Sequence, residues 1–227
     1  MKKNFIAFVP ARKGSTAIKN KNLVKISGKR LIEYTFIELN KIKNLKTFLA
    51  TDDLKIKNLS KKYNINIDYN RPKRVSMKTT PMIETLYDFH IKFKNKLYYD
   101  YVIILQPTSP LRKKNDIIKS INTVNKKKLL SLISLSPSIE HPYESVYLKK
   151  DKIKTFFPKN KKYNSRQEFD KNSYFINGAI AIIHKSLIEK KITQDKKRHS
   201  FIIMKKINSL DLNDKDELEI IKKLLKK

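Results

Sequence analysis

Seven arginines stand among 45 lysines in this sequence, and four of them fall in loop-like stretches beside proline, serine or glutamine: Arg12, Arg71, Arg112 and Arg166. A planar guanidinium grips a carboxylate or phosphate through two parallel bonds, which an ammonium cannot copy. Glycine is rarer still, at positions 14, 28 and 178 only, where average usage would give about fifteen. A chain this sparing of glycine keeps it for positive φ or close backbone approach. Arg12 and Gly14 occur together in Pro10-Ala11-Arg12-Lys13-Gly14-Ser15-Thr16, directly after the apolar run Phe5–Val9, with Lys21 and Asn22 downstream. The stretch lacks both the Gly-Lys-Ser/Thr of a Walker loop and the G-x-G-x-x-G of a dinucleotide fold. Two readings stay open: an ordinary turn, or a cradle in which backbone N–H groups, Arg12 and Lys21 hold a triphosphate.

Three further segments carry chemistry. Thr51-Asp52-Asp53 reads as the N-cap of a following helix. Gln106 to Arg112 reads QPTSPLR: two prolines fix the backbone while Gln106, Thr108, Ser109 and Arg112 offer donors to a polyhydroxylated acid. Rigid polar loops of that kind point to function. Ser209 to Leu218 concentrates acids in a chain with only 21 carboxylates. Asp214 and Asp216 suit a helix N-terminus, while Asp211 and Asn213, just before it, offer oxygens to a hard cation such as Mg²⁺. His90, His141, His184 and His199 have no partner motif and read as structural.

The elements that must position these loops alternate. Apolar runs at Phe5–Val9, Thr47–Thr51, Tyr101–Leu105, Leu130–Leu135 and Ala179–Ile183 read as strands, with a shorter one at Ile65–Tyr69. Leu31–Asn40, Leu54–Tyr63, Met82–Phe93 and Ile117–Asn125 carry apolar residues at helical spacing. Thr80-Pro81 reads as an N-cap and first-turn proline, and Asp214 with Glu217 as the capping box of a last helix running to Lys227. The expected architecture is α/β, with a mostly parallel sheet covered on both faces and ligands beyond the carboxyl ends of its strands. Each loop named above, with Asn70-Arg71-Pro72 and Asn177-Gly178-Ala179, falls at that end. One domain over residues 1–227 is expected, broken only at 137–175. That stretch is too long for an ordinary loop and reads as an insertion of short strands, a lid or dimerisation arm.

Composition bounds the rest. Forty per cent apolar residues supply a core, and the absence of cysteine excludes disulfides and Cys-ligated zinc. The first apolar run is too short for a secretory h-region, and no run approaches the ~18 residues of a membrane span. A soluble, cytoplasmic protein without a membrane partner is expected. The formal charge of +31 suggests nucleic acid. The lysines, however, spread over the whole length with no patch or tail, as on a lysine-coated solvated surface.

Taken in order, the loops resemble the acylneuraminate (CMP-sialic acid, CMP-nonulosonate) cytidylyltransferase family. The likeness rests on Ile6-Ala7-Phe8-Val9-Pro10-Ala11-Arg12, Gly14-Ser15, Lys21-Asn22, Gly28-Lys29, Thr51-Asp52-Asp53, Arg71-Pro72, Leu105 to Arg112, Asn177-Gly178-Ala179-Ile180 and Asp211. It spans nearly the whole chain. The resemblance implies a Rossmann-like, three-layer nucleotidyltransferase fold with a small insertion that swaps into a homodimer. It implies transfer of CMP from CTP to a nine-carbon keto acid sugar, with Mg²⁺ as cofactor and release of pyrophosphate. Arg12, Lys21 and Asp211 would be catalytic. Ala11, Gly14, Ser15, Asn22, Arg71 and Thr80 would join Arg12 and Lys21 around CTP. Gln106, Thr108, Ser109, Arg112, Arg166, Gln167, Tyr174, Asn177 and Gly178 would hold the sugar, and Asp211 with Asn213 the metal. The chain departs from the family at Thr16-Ala17, where Lys-Gly is usual, at Lys78, where Asp is usual, and at Asn213, where a second Asp is often found. Asn213 removes one negative charge from the metal site. The alternatives are an enzyme for the eight-carbon acid Kdo, whose relatives lack QPTSPLR, a CTP binder without catalysis, and a basic nucleic-acid-binding protein.

Overall fold

A computed structural model describes residues 3–14, 18–157 and 172–226. The expectations for Ser15, Arg166 and Gln167 lie outside the described residues. In chain order the elements are β1 (Phe5–Pro10), β2 (Lys25–Ile26), β3 (Lys29–Arg30), α1 (Leu31–Asn40), β4 (Lys46–Ala50), α2 (Leu54–Ser60), α3 (Met82–Phe93), β5 (Tyr101–Ile104), α4 (Lys114–Lys127), β6 (Ser131–Pro137), β7 (Val146–Lys149), β8 (Lys152–Thr155), β9 (Tyr174–His184), α5 (Lys185–Glu189), β10 (His199–Ile203) and α6 (Lys215–Leu225).

Six strands form one sheet in the order β10-β6-β9-β5-β1-β4. β9 runs antiparallel to its neighbours β5 and β6, and the remaining pairs are parallel. Alternation along β1 sorts the core: Ala7 and Val9 face one cluster with Ile32, Phe36, Ile56 and Ile117 of α1, α2 and α4. Ile6 and Phe8 face the other, with Leu86 and Phe89 of α3 and Leu187 of α5. Helices therefore cover both faces, a Rossmann-like three-layer arrangement. The central strands are continuous apolar runs because both of their faces are buried.

Local chemistry explains the element ends. Ser27 (φ 45°) and Gly28 (φ 83°) make the two-residue turn of the β2–β3 hairpin, where positive φ at both positions matches the strand twist. Asp53 caps α2 by accepting from Lys55 N at 2.8 Å. Asp214 and Glu217 cap α6 reciprocally, as expected from their spacing.

Four features differ from the expectations. Residues 65–69 contribute only one isolated parallel bridge, Phe48 with Asn66, and a second pairs Thr51 with Asn70 just beyond them. The Asn66 side chain accepts from Asp68 N at 2.8 Å, a local turn that competes with a ladder. Thr80 is not an N-cap, because Pro81 (φ −60°, ψ 145°) occupies that position and α3 begins at Met82. Thr80 instead closes a turn through its N–H on the Met77 carbonyl at 3.2 Å. Two elements, α5 and β10, carried too few periodic residues to be read. Between β6 and β9, β7 and β8 pair antiparallel as a separate two-stranded sheet. Apolar side chains are exposed there and on the start of β9, including Leu148 at 75%, Ile153 at 70% and Phe175 at 67%. Among the described residues no helix is long and apolar enough to cross a membrane.

Candidate active site

β1 lies between β4 and β5, so the chain leaves β1 toward one neighbour and later returns on its other side. Loops after β1 and β5 consequently diverge at the carboxyl edge, the place where open α/β sheets hold ligands. A cleft of about 300 Å³ opens there, lined by Pro10, Arg12, Lys21, Asn22, Arg71, Met77, Lys78, Thr80, Met82, Gln106, Pro107, Thr108, Asp211 and Asn213. Four cations face one carboxylate among those residues, a field suited to a polyanion in a site partly shielded from water.

The β1 wall is built on exposed contacts. Arg12 gives Nη1 to the carbonyls of Gly14 (3.1 Å) and Lys13 (3.4 Å), and Asn22 reaches the Arg12 carbonyl at 3.4 Å. Asp52 accepts from Lys13 N at 2.7 Å, and the Thr51 hydroxyl donates to the Ala11 carbonyl. The Thr51-Asp52-Asp53 segment therefore braces the first loop as well as capping α2. Ala11 is buried, its N–H is given to the Ala50 carbonyl at 2.9 Å, and its carbonyl serves Thr51. The expected contact with CTP has no backbone donor left to make it, and Ala11 acts as the base of the loop. Gly14 lies at the exposed rim of that loop.

Arg71 forms part of the floor. Its Nε and Nη2 hold the Val75 carbonyl at 2.9 and 2.6 Å, and Nη2 also reaches Thr85 Oγ1 at 3.1 Å. Burial lowers its pKa from the ordinary arginine value, an effect that Tyr69 and Asp52 oppose. Lys21 Nζ donates to the Leu212 carbonyl at 2.7 Å, tying the β1 side to the Asp211–Asn213 loop.

The β5 wall corrects several expectations about the sugar contacts. Gln106 and Thr108 line the cleft, and Thr108 Oγ1 is buried without a protein partner. Ser109 is buried and its hydroxyl lies 3.4 Å from Asp211 Oδ1, so it orients that carboxylate and does not face a sugar. Arg112 is 2% exposed, with Nη1 on the carbonyls of Gln106 (3.0 Å) and Ala179 (2.7 Å) and Nη2 on Thr35 Oγ1 (2.8 Å). Burial draws its pKa down to about 10, which leaves it charged at neutral pH. Asn177 is satisfied internally: Oδ1 accepts from Ser134 Oγ (2.6 Å) and Ala179 N (3.1 Å), and Nδ2 donates to Ser209 Oγ (3.0 Å). Neither Arg112 nor Asn177 presents a group to the cleft. Gly178, at φ 66°, lies with its Cα against Gln106, where an added Cβ would sit 3.5 Å from Nε2. Tyr174 is half exposed at the start of β9, paired with Pro137, away from this lining.

The donor set bears on the expected metal. Asp211 offers a carboxylate and Asn213 a side-chain carbonyl, both hard oxygens lining the cleft. Among the described residues no group of three or more His, Cys, Asp or Glu could hold an ion by itself. The set fits Mg²⁺ in its usual mode, one carboxylate completed by phosphate oxygens and water.

Met77, Lys78, Met82, Pro10 and Pro107 also line the cleft. Pro10 and Pro107 belong to motifs already noted in the sequence, Met82 opens α3, and Lys78 was noted as a departure. Met77 follows no period or spacing, because the fold of residues 72–81 through a 3₁₀ turn at Lys73–Val75 brings it in.

A family model described as cytidylyltransferase matches residues 6–226. The post-translational flagellin modification protein B of Campylobacter coli is 26% identical over 219 residues, covering 95% of this chain and 92% of that protein. The CMP-N,N'-diacetyllegionaminic acid synthase of Legionella pneumophila is 31% identical over 134 residues, covering 58% of this chain and 57% of that one. A solved CMP:2-keto-3-deoxy-manno-octonic acid synthetase complexed with CTP superposes with a TM-score of 0.70 at 14% identity, covering 98% of both chains, a likeness of fold. The matched span runs from β1 through α6 and takes in every wall of the cleft: the chain belongs to the cytidylyltransferase family, nucleotidyltransferases that transfer CMP from CTP.

Proposed function

We propose that the acceptor is a nonulosonic acid, and that this chain joins CMP to its anomeric hydroxyl with release of pyrophosphate. The observation that carries the reading is the cleft itself, which sets Arg12, Lys21, Arg71 and Lys78 against Gln106, Thr108 and Asp211 across one space. The cations hold the triphosphate and stabilise the charge that grows on the α-phosphate and on departing pyrophosphate. The sugar's anomeric oxygen bonds to the α-phosphorus as the bond to the β-phosphate oxygen breaks, and the hydroxyl proton passes to water. Gln106 and the Thr108 hydroxyl orient the acceptor, so most of the acceleration comes from positioning and preorganised charge. Asp211 and Asn213 would hold Mg²⁺, which supplies Lewis-acid charge to phosphate oxygens when bound. Asn22 and Arg71 would read the cytosine base. The legionaminic series heads the substrate list because of the Legionella relative.

A homodimer is part of the same proposal. Exposed Tyr147, Leu148, Ile153, Phe156, Phe175 and Ile176 on and beside the β7–β8 hairpin form an apolar surface of the sort that marks an interface, and Arg166, Gln167 and Tyr174 belong to this insertion.

Pyrophosphate release by the purified protein with CTP and Mg²⁺, across legionaminic, pseudaminic, sialic and Kdo acids, tests the assignment. Turnover is expected with a nine-carbon acid. Turnover with Kdo alone would move the acceptor to the eight-carbon series. CTP binding without turnover on any acid would leave a nucleotide binder, and tight, steeply salt-dependent binding to arbitrary duplexes in place of CTP would mark a nucleic-acid protein.

A further inference from the structure

Behind the β5 wall lies a buried polar network that reaches the cleft through Gln106. At its centre, the Arg112 fork joins three elements: the carbonyl of Gln106 after β5, the carbonyl of Ala179 within β9, and the hydroxyl of Thr35 in α1. These acceptors determine where the Gln106 side chain can be. One is the backbone from which that side chain springs. The second follows Gly178, whose bare Cα surface lies alongside the Gln106 amide. Asn177 fixes the same strand from its other side by accepting from Ala179 N at 3.1 Å.

A buried charge is a costly way to fill volume, since apolar replacements of buried ions are often neutral or stabilising. The return here is geometric. A rigid guanidinium serves three acceptors in one plane, whereas a lysine ammonium on a flexible stem has neither the planarity nor the fork. Arg112 Nε is buried without a partner, which further indicates that the side chain is placed for its two terminal nitrogens.

We propose that Arg112 is a positioning residue for the acceptor sugar, acting through the Gln106 and Ala179 carbonyls to hold the Gln106 amide in the cleft without touching substrate. The inference rests on the reading that Gln106 meets the acceptor.

The test is a double-mutant cycle on the full-length chain with Arg112→Lys, Gln106→Ala and the pair. Arg112→Lys is expected to raise KM for the acid by about tenfold, the loss of one oriented hydrogen bond, with KM for CTP within about twofold of the parent. Gln106→Ala is expected to do the same, and the double variant to be no worse than Gln106→Ala alone. Additive losses, an unchanged KM for the acid, or an equal rise in both KM values would overturn the proposal, since a general loss of structure would act on both substrates. Should Arg112→Lys fail to fold, Thr35→Val removes one of the three contacts and is expected to raise KM for the acid about threefold, an effect absent in the Gln106→Ala background. A parent protein silent on every nonulosonic acid would defeat the functional reading. The coupling is then read from the ¹⁵N resonance of the Gln106 side-chain amide, which Arg112→Lys should shift while leaving that of Asn22 in place; an unmoved Gln106 signal would sink the coupling on its own.

Discussion

Arg12 and Arg112 occupy comparable places in the sequence, each shortly after a buried strand and close to proline, yet the fold uses them in opposite ways. Arg12 stands on the cleft side of the β1 wall, with Nη1 on the Lys13 and Gly14 carbonyls of its own loop. Arg112 is enclosed in the β5 wall with its terminal nitrogens given to three separate elements. The same contrast runs through the neighbours. Asn22 and Lys21 line the cleft, while Asn177 and Ser109 are satisfied beneath it. One wall turns its charged and polar side chains toward the cleft. The other uses its polar groups to hold backbone in place, in a low-dielectric interior that strengthens each bond made there.

That contrast can be broken at the β1 wall first. Arg12→Ala is expected to reduce pyrophosphate release by about 10²–10³, as loss of a preorganised donor at a charged transition state does, while melting within about 2 °C of the parent because the site is partly exposed. A large fall in melting temperature would mean that Arg12 braces structure as Arg112 does. At the β5 side the balance should invert. Asn177→Leu would leave Ser134 Oγ, Ser209 Oγ and Ala179 N without a shared partner, costing about 2–3 kcal/mol and lowering the calorimetric melting point by about 4–12 °C. The affinity of the folded variant for CTP should hold, and a selective loss of CTP binding would show that Asn177 serves the nucleotide. The smallest effect sharpens the middle ground, where the Asp211–Asn213 loop meets both walls. Asn213→Asp restores a second negative charge beside Asp211 and is expected to lower the Mg²⁺ concentration for half-maximal activity by about three- to tenfold. An unchanged Mg²⁺ requirement would place the ion on Asp211 and phosphate alone.

Much of the fold was legible in advance. β1, β4, β5 and β6 announce themselves as apolar runs, in β1 and β5 because both faces of a central strand are buried, and α1 and α3 match their expected bounds at Leu31–Asn40 and Met82–Phe93. α5 and β10 were not legible, since α5 is little more than one helical turn and β10 is an edge strand with only Ile202 buried. The first five residues of β9, ahead of the expected Ala179–Ile183, were missed for another reason. Tyr174, Phe175 and Ile176 are exposed here, so nothing in a burial pattern distinguishes them from the insertion they leave.

By itself the sequence determined which residue types gather at the strand ends, because loop composition and strand order are written locally: scarce arginine and glycine, rigid prolines and a pair of oxygen donors before the last helix. Which of those side chains meet a ligand was decided only in three dimensions. Whether a guanidinium or an amide faces water or buried polar partners depends on neighbours such as Thr35, Ser134 and Ala179, 77, 43 and 67 residues away from the groups they bind. No local pattern encodes those partners; burial by the folded sheet and helices assigns them.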